Sequence, residues 1–239
     1  NEGGRRFQTS DASQHDLVRT GPNDLEIADI DGDGDLDVLV AEERGRAVAV
    51  FRSESTRALA APEMVGLGAF GRIIPSWIST GDMDGDGDVD IATGSVVTDT
   101  MVVWNAGEGH FLSGSTFKVT DGPVALETID VNRDGREDLV LLTSLAVPFT
   151  EPSDARVAIL LSLGNGELAP EKLLPRRGKL LGQRGSIAGA DLNGDAWPDL
   201  VATFRDTPNQ GGGSLVWIND GEGGFLEEPF VIGRHRVSM

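Results

Sequence analysis

Short apolar runs recur along the chain, separated by breaks rich in Gly, Asn and Asp. Val38-Leu39-Val40 is followed by Ala47-Val48-Ala49-Val50-Phe51, and Ile91-Ala92 by Met101-Val102-Val103-Trp104. Leu139-Val140-Leu141-Leu142 is followed by Val157-Ala158-Ile159-Leu160-Leu161, and Leu200-Val201-Ala202 by Leu215-Val216-Trp217-Ile218. These runs are rich in β-branched residues and too short for helices, so they predict strands. A lone aliphatic residue, Leu25, Ile78, Leu126 or Ile187, stands ahead of each pair. Three of the pairs open into a glycine turn closed by an apolar residue: Asn105 to Phe111, Ser162 to Leu168 and Asn219 to Phe225. The first pair departs, with Arg52-Ser53-Glu54 and no glycine. With one more segment closing each unit, the pattern predicts four short strands, four times over.

A four-strand unit recurring about every 50–60 residues predicts β-propeller blades, antiparallel sheets stacked face to face around an axis. A solenoid or a tandem sandwich is the competing all-β arrangement. The predicted blades cover residues 24–70, 71–122, 123–182 and 183–239 of a single propeller domain. Residues 1–23 are expected to hold the outer strand of a preceding repeat, because Asn1, Gly3 and Phe7 match Asn219, Gly221 and Phe225. Four complete four-stranded blades plus that extra N-terminal outer strand favour an arc of a larger propeller over a small ring.

Between each lone aliphatic residue and the run after it lies an acidic nine-residue loop. The first is Asp29-Ile30-Asp31-Gly32-Asp33-Gly34-Asp35-Leu36-Asp37, and the second has the same layout through Asp82, Asp84, Asp86, Asp88 and Asp90. Such crowding of like charge is costly unless a cation sits among the acids. Ca²⁺ takes six to eight hard oxygen ligands at about 2.3–2.6 Å in flexible geometry. Positions 1, 3 and 5 can turn their side chains inward, position 7 can offer its carbonyl, and position 9 a closing carboxylate. Mg²⁺ suits the spacing less well, since it demands a small octahedron and keeps its waters. An EF-hand would need Glu at position 12 between helices, but that position falls in the next strand, at Val40, Thr93, Leu141 and Ala202. The bland alternative is an Asp/Gly-rich polar turn without metal.

The other two loops deviate. The third offers Asp130, Asn132, Asp134, Arg136 through its carbonyl, and Asp138, with Arg133 where glycine stood. The fourth offers Asp191, Asn193, Asp195, Trp197 through its carbonyl, and Asp199, with Ala196 at the sharp turn. A left-handed alanine costs about 1–2 kcal/mol, so the fourth site is expected to be the weakest. Loops one and two bring four carboxylates each and loops three and four three plus an Asn, so the first pair should bind more tightly.

The formal charge of −19 argues against nucleic-acid binding, which needs clustered Lys and Arg. No apolar run is long enough to cross a bilayer, so no membrane insertion is expected. The absence of cysteine removes disulfides, thiolate metal sites and a Cys nucleophile. Asn1 to Arg6 lead into no apolar signal region and there is no initiating Met, as expected of a mature product or a fragment. Three histidines, His15, His110 and His235, and no Tyr leave little for acid–base chemistry, and no hydrolase or phosphate-loop motif occurs, so no catalytic site is expected. Trp77, Trp104 and Trp217 either pack between blades or stack on sugars.

The Asp-x-Asp/Asn-x-Asp-Gly-x-x-Asp loop, the Leu-Val-type strand after it and the Asn-x-Gly-x-Gly-x-Phe turn resemble the FG-GAP/VCBS repeat family, which includes integrin α-subunit heads and propeller lectins. The resemblance covers essentially the whole chain. It implies propeller blades with Ca²⁺ in the loop between the first two strands, up to four ions in all. It also implies an extracellular, cell-surface or periplasmic setting and adhesion to, or binding of, a protein or glycan ligand. The expected function is a non-catalytic calcium-binding module. A calcium-dependent lectin, or an accessory propeller of a larger secreted enzyme, is the alternative.

Overall fold

The computed structural model describes residues 21–54, 58–67, 74–95, 99–112, 114–144, 155–175, 184–205, 213–226 and 230–234. The outer strand expected at the N-terminus falls mainly on residues 1–20 and lies outside them. Among the described residues there are strands and no helix, and so no helix long and apolar enough to cross a membrane.

The strands form four antiparallel four-stranded sheets in chain order. The first holds β1 (Pro22–Ala28), β2 (Asp37–Glu42) and β3 (Ala47–Phe51). A small ribbon of β4 (Ser53–Glu54) and β5 (Ala58–Leu59) follows, and β6 (Glu63–Gly66) then completes the sheet. The second sheet is β7 (Trp77–Gly81), β8 (Asp90–Gly94), β9 (Asp99–Val103) and β10 (Ser115–Lys118). The third begins with β11 (Gly122–Ile129), β12 (Asp138–Ser144) and β13 (Ala155–Leu160). A second ribbon, β14 (Ser162–Gly164) with β15 (Glu167–Leu168), precedes its last strand β16 (Lys172–Leu173). The fourth is β17 (Arg184–Ala190), β18 (Asp199–Arg205), β19 (Gly213–Trp217) and β20 (Phe230–Arg234). The ribbon β4–β5 stands where the first repeat lacks its glycine turn.

The sheets stack one on the next, with the first strand of each beside the first strand of its neighbour: β1 by β7, β7 by β11, β11 by β17. Strand alternation sorts the side chains between two layers. On β12, Leu139 and Leu141 pack with Met83, Ala92 and Val102 of the second sheet, while Val140 and Leu142 pack with Leu200 and Ala202 of the fourth. Leu39 and Ala41 of β2 pack with Ile78, Ile91 and Met101. The second and third sheets therefore bury both faces, and the stack is continuous rather than paired into sandwiches. That double burial is the reason the second and third strands read as unbroken apolar runs instead of alternating ones.

One buried side chain breaks the apolar pattern. Glu42, at the end of β2, is fully buried and neither carboxylate oxygen has a hydrogen-bond partner among the described residues. A buried acceptor without a donor costs about 1–3 kcal/mol, so Glu42→Leu is expected to stabilise the fold by that order. A raised urea midpoint at unchanged slope checks this; a lowered midpoint would contradict it.

Candidate functional site

Each acidic loop joins the first strand of its sheet to the second. The first carboxylate of every loop pulls the chain into a coil by accepting backbone N–H groups from further along. Asp29 takes those of Asp33 and Gly34 at 3.1 and 3.0 Å, and Asp82 those of Gly85 and Gly87 at 2.7 and 2.9 Å. Asp130 takes Asp134 and Gly135 at 3.0 and 2.9 Å, and Asp191 takes Asp195 and Ala196 at 3.2 and 2.9 Å. The coil needs left-handed backbone at position 6, where φ is 92° at Gly34, 94° at Gly87, 88° at Gly135 and 70° at Ala196. Position 4 is left-handed as well, including Arg133 at φ 56°. The position-7 residues Asp35, Asp88, Arg136 and Trp197 each donate their backbone N–H to the carboxylate at position 5.

The last Asp of each loop is at most 1 % exposed and spends both oxygens on backbone. Asp37 accepts the N–H of Ile30 at 3.1 Å and of Ser53 at 2.7 Å; Asp90 accepts Met83 at 3.0 Å and Asn105 at 2.8 Å. Asp138 accepts Val131 and Ser162 at 3.0 and 2.8 Å, and Asp199 accepts Leu192 and Asn219 at 3.1 and 2.8 Å. The closing carboxylate thus ties position 2 of its own loop to the end of the third strand.

From that same strand end a polar side chain reaches the loop of the preceding sheet. Asn105 Nδ2 donates to the Ile30 carbonyl at 2.9 Å and to its own loop's Val89 carbonyl at 3.1 Å. Asn219 Nδ2 repeats this with Val131 at 2.9 Å and Pro198 at 3.2 Å. In the third sheet the Ser162 hydroxyl donates to the Met83 carbonyl. The sequence flagged Asn105 and Asn219 only as turn residues; their burial, at 2 %, and their reach into the neighbouring sheet were not visible along the chain.

Among the described residues, acidic oxygens converge in two loops. One oxygen each of Asp29, Asp31 and Asp37, and one each of Asp82, Asp84 and Asp86, lie within 4.8 Å of one another. Asp33, Asp35, Asp88 and Asp90 belong to the same loops but stand outside these triplets. Such all-oxygen sets suit a hard cation such as Ca²⁺. In the first set Asp31 Oδ1 is buried without a hydrogen-bond partner, an acceptor left free for a cation, while Arg52 Nη1 holds Oδ2 at 2.8 Å. Arg52 also donates to the Gly109 carbonyl at 2.9 Å and so bridges to the second sheet. The third and fourth loops form no such triplet. Arg136 pairs with Asp134 at 2.6 Å, and Asn132 and Asn193 donate to Asp134 and Asp195 at 3.0 and 2.8 Å.

With no cation present, Asp90 and Asp138 are both pushed up to about 7, mainly by burial and further by neighbouring loop carboxylates, against the pull of their backbone hydrogen bonds. Burial raises Asp37, and burial with Asp86 raises Asp84. The backbone N–H of Gly194 and its neighbours lower Asp191.

The tryptophans flagged for sugar stacking are mostly structural. Trp104 is buried, donates to Ser115 Oγ at 3.0 Å and meets the Phe117 ring edge-on; Trp217 is buried and donates to the Pro175 carbonyl at 2.7 Å. Trp77 packs half-buried against two of the apolar cores. Trp197, which the sequence placed at a loop position, lies under the Arg133 guanidinium, 5.5 Å from its ring centroid, joining the fourth loop to the third. His110 is exposed on its turn, and His15 and His235 lie outside the described residues.

A family model described as an FG-GAP-like repeat matches residues 29–93 and again 82–141. No curated protein sequence matches the chain significantly. Among solved structures the chain is similar to an Agrocybe aegerita lectin whose structure concerns specific recognition of non-reducing terminal N-acetylglucosamine, at TM-score 0.56 and 22% identity. That likeness covers 86% of this chain and 50% of the lectin. It is also similar to the Photorhabdus luminescens Tc holotoxin pore, at TM-score 0.52 and 18% identity, covering 84% of this chain and 9% of that one. At these identities the likeness is one of fold, and the chain spans half the length of the first structure and a small part of the second.

Two outcomes follow from the loops. Ala196→Gly removes the left-handed strain at φ 70° and should stabilise the fold by about 1 kcal/mol, read from the denaturation midpoint. In chelator, Asp90 and Asp138 keep protons that the unfolded chain, at its ordinary 3.8, has released. That stability is full below about pH 4 and is lost as pH rises through about 7. Melting temperatures in chelator should therefore fall from about pH 5 to pH 8, and more steeply than in calcium, which favours the ionised form. Parallel slopes with and without calcium would contradict this.

Proposed function

The chain carries FG-GAP-like repeats at residues 29–93 and 82–141, and from that premise we propose that it is an arc of a β-propeller that binds Ca²⁺ in its loops and serves as a non-catalytic ligand-binding module. The observation that carries the calcium reading is the convergence of the Asp29, Asp31 and Asp37 oxygens and of the Asp82, Asp84 and Asp86 oxygens. The ordered packing of β1, β7, β11 and β17 supports the propeller. Asp31 would offer its free Oδ1, with Arg52 fixing the other oxygen. Asp37 would close the first set while also holding its loop, since each oxygen carries one backbone N–H and keeps a lone pair, and Asp90, outside the second set, would mainly hold its loop. The bound cation would supply the counter-charge that these crowded carboxylates lack.

Loop one and loop two are the primary sites in this reading. Loops three and four are weaker, because Arg136, Asn132 and Asn193 already engage their position-5 carboxylates. An extracytoplasmic setting fits modules that bind Ca²⁺ only at about 10⁻⁴–10⁻³ M. The ligand is a glycan or a protein; the fold likeness to a lectin favours testing glycans first. Trp104 and Trp217 are buried and do not take part, so a sugar site would have to use other surfaces.

Calcium at about a hundred times its dissociation constant adds about 2.7 kcal/mol per site. In a chain of this size that raises the melting temperature by about 5–10 °C. Thermal melts in millimolar calcium and in excess chelator measure it, with Asp82→Asn plus Asp84→Asn expected to remove a large share of the shift. Equal melting temperatures in calcium and chelator would sink the calcium reading. A glycan array probed with calcium present separates sugar from protein ligands.

A further inference from the structure

The junctions between sheets are filled differently in the layer four and five residues beyond each closing Asp. Between the third and fourth sheets, Leu142 and its strand partner Val157 meet Phe204, all buried. Between the first and second, Ala41 and its partner Val48 supply the buried apolar pair. Between the second and third sheets the same positions hold Gly94 with Thr100 on one side and Thr143 with Arg156 on the other. Strand alternation turns these toward each other. Thr100 shares the face of Val102, Thr143 that of Leu141 and Arg156 that of Ala158, all in the apolar cluster common to those two sheets. Pro123 closes on Gly94, where an added Cβ would meet it at 2.9 Å. On the other side of Thr100 stands its strand partner Phe117, half-buried and packed against the same cluster.

This layer is polar and unsatisfied. Thr100 is fully buried, and its Oγ1 has no hydrogen-bond partner among the described residues. Arg156 Nε is buried and likewise unpartnered among them. The Asp121 carboxylate, 3% exposed, lies on the segment that crosses from β10 to β11, where Glu171 accepts the Thr120 N–H at 3.0 Å. Asp121 Oδ2 is 4.0 Å from Arg156 Nε, too far for a direct hydrogen bond. An oxygen at about 2.8 Å from each fits across that separation. A hydroxyl suits it, because it can accept from the guanidinium and donate to the carboxylate at once. The Arg156 side chain is 33% exposed and marks the side open to solvent.

We propose that the junction between the second and third sheets is a binding site for a neutral sugar, with a ligand hydroxyl bridging Arg156 Nε and Asp121 and within reach of Thr100 Oγ1. The inference rests on the ligand-binding reading above and names the site and ligand class for it. Asp121 offsets the charge of Arg156, so the site disfavours anions. The half-buried Phe117 ring offers an apolar wall for the C–H face of a pyranose, and a few convergent polar groups beside such a wall are the usual make-up of a small-ligand site.

Calorimetric titration of the full chain in millimolar calcium tests this, with methyl glycosides of the common neutral hexoses as probes. At least one should bind. Thr100→Val, which keeps the shape and removes the hydroxyl, should weaken it about tenfold, and Arg156→Gln by at least as much. The melting temperature of Thr100→Val should not fall, since its hydroxyl has no partner to lose among the described residues. Binding unchanged in both variants, or a methyl glucuronide bound more tightly than its neutral parent, would overturn the site. So would a failure of every glycoside to bind, which leaves the gap to a trapped water. A glycan array keeps the two ideas apart. Array binding that ignores Arg156→Gln sinks this site alone, and a blank array sinks the sugar reading as a whole.

Discussion

Four buried carboxylates organise this molecule: Asp37, Asp90, Asp138 and Asp199. Each sits at the start of the second strand of its sheet and is exposed by no more than 1 %. A carboxylate in that position is tolerable only if its oxygens are satisfied, and each accepts two backbone N–H groups, one from its own loop and one from the end of the third strand. That second bond sets where the third strand stops and where the next residue points. A hydrogen bond to a charged acceptor contributes about 1.5–3 kcal/mol, more than most single backbone bonds. Loss of one such carboxylate would leave two orphaned donors and an unanchored loop.

The anchored residue then makes the contact that joins sheets. Asn105, Ser162 and Asn219 are held by an Asp of their own sheet and donate to the loop of the sheet before. Apolar packing between sheets is non-directional and sets the spacing; these polar contacts set the register, which the loops then share. Loops and junctions are therefore one construction. Anything that orders a loop also orders the junction with the following sheet, and the loops lie in series along one end of the stack.

The repeats are not equal, and the differences have physical causes. Arg52 stands where the second sheet has Trp104, and it neutralises one oxygen of Asp31 while holding the Gly109 carbonyl of the next sheet. Arg136 does similar work on Asp134 within the third loop. Arg133 and Ala196 accept left-handed backbone that glycine takes elsewhere, and Arg133 recovers some of that cost over the Trp197 ring. Only loops one and two bring three acidic oxygens together among the described residues, in keeping with the acid count of each loop. The spacing along the chain had assigned the position-9 carboxylate to a cation; in the structure its two oxygens also accept backbone N–H groups, and at Asp37 one of them lies within the first acidic set.

The sequence by itself determined the repeat, the strand content and the loops, because a period-2 pairing unit and a nine-residue acidic coil are local constructions whose residues lie next to one another in the chain. Even the strained turn at Ala196 was visible, since position 6 of the coil must be left-handed whatever surrounds it. What only the tertiary structure decided are the contacts between repeats: the reach of Asn219 to Val131, the grip of Arg52 on Gly109, the burial of Trp104 and Trp217, and the opposite fates of Leu25 and Ile78. Leu25 and Ile78 read identically along the chain. One is exposed and the other buried because burial depends on whether another sheet lies against that face, a fact of neighbours in space that no local pattern contains.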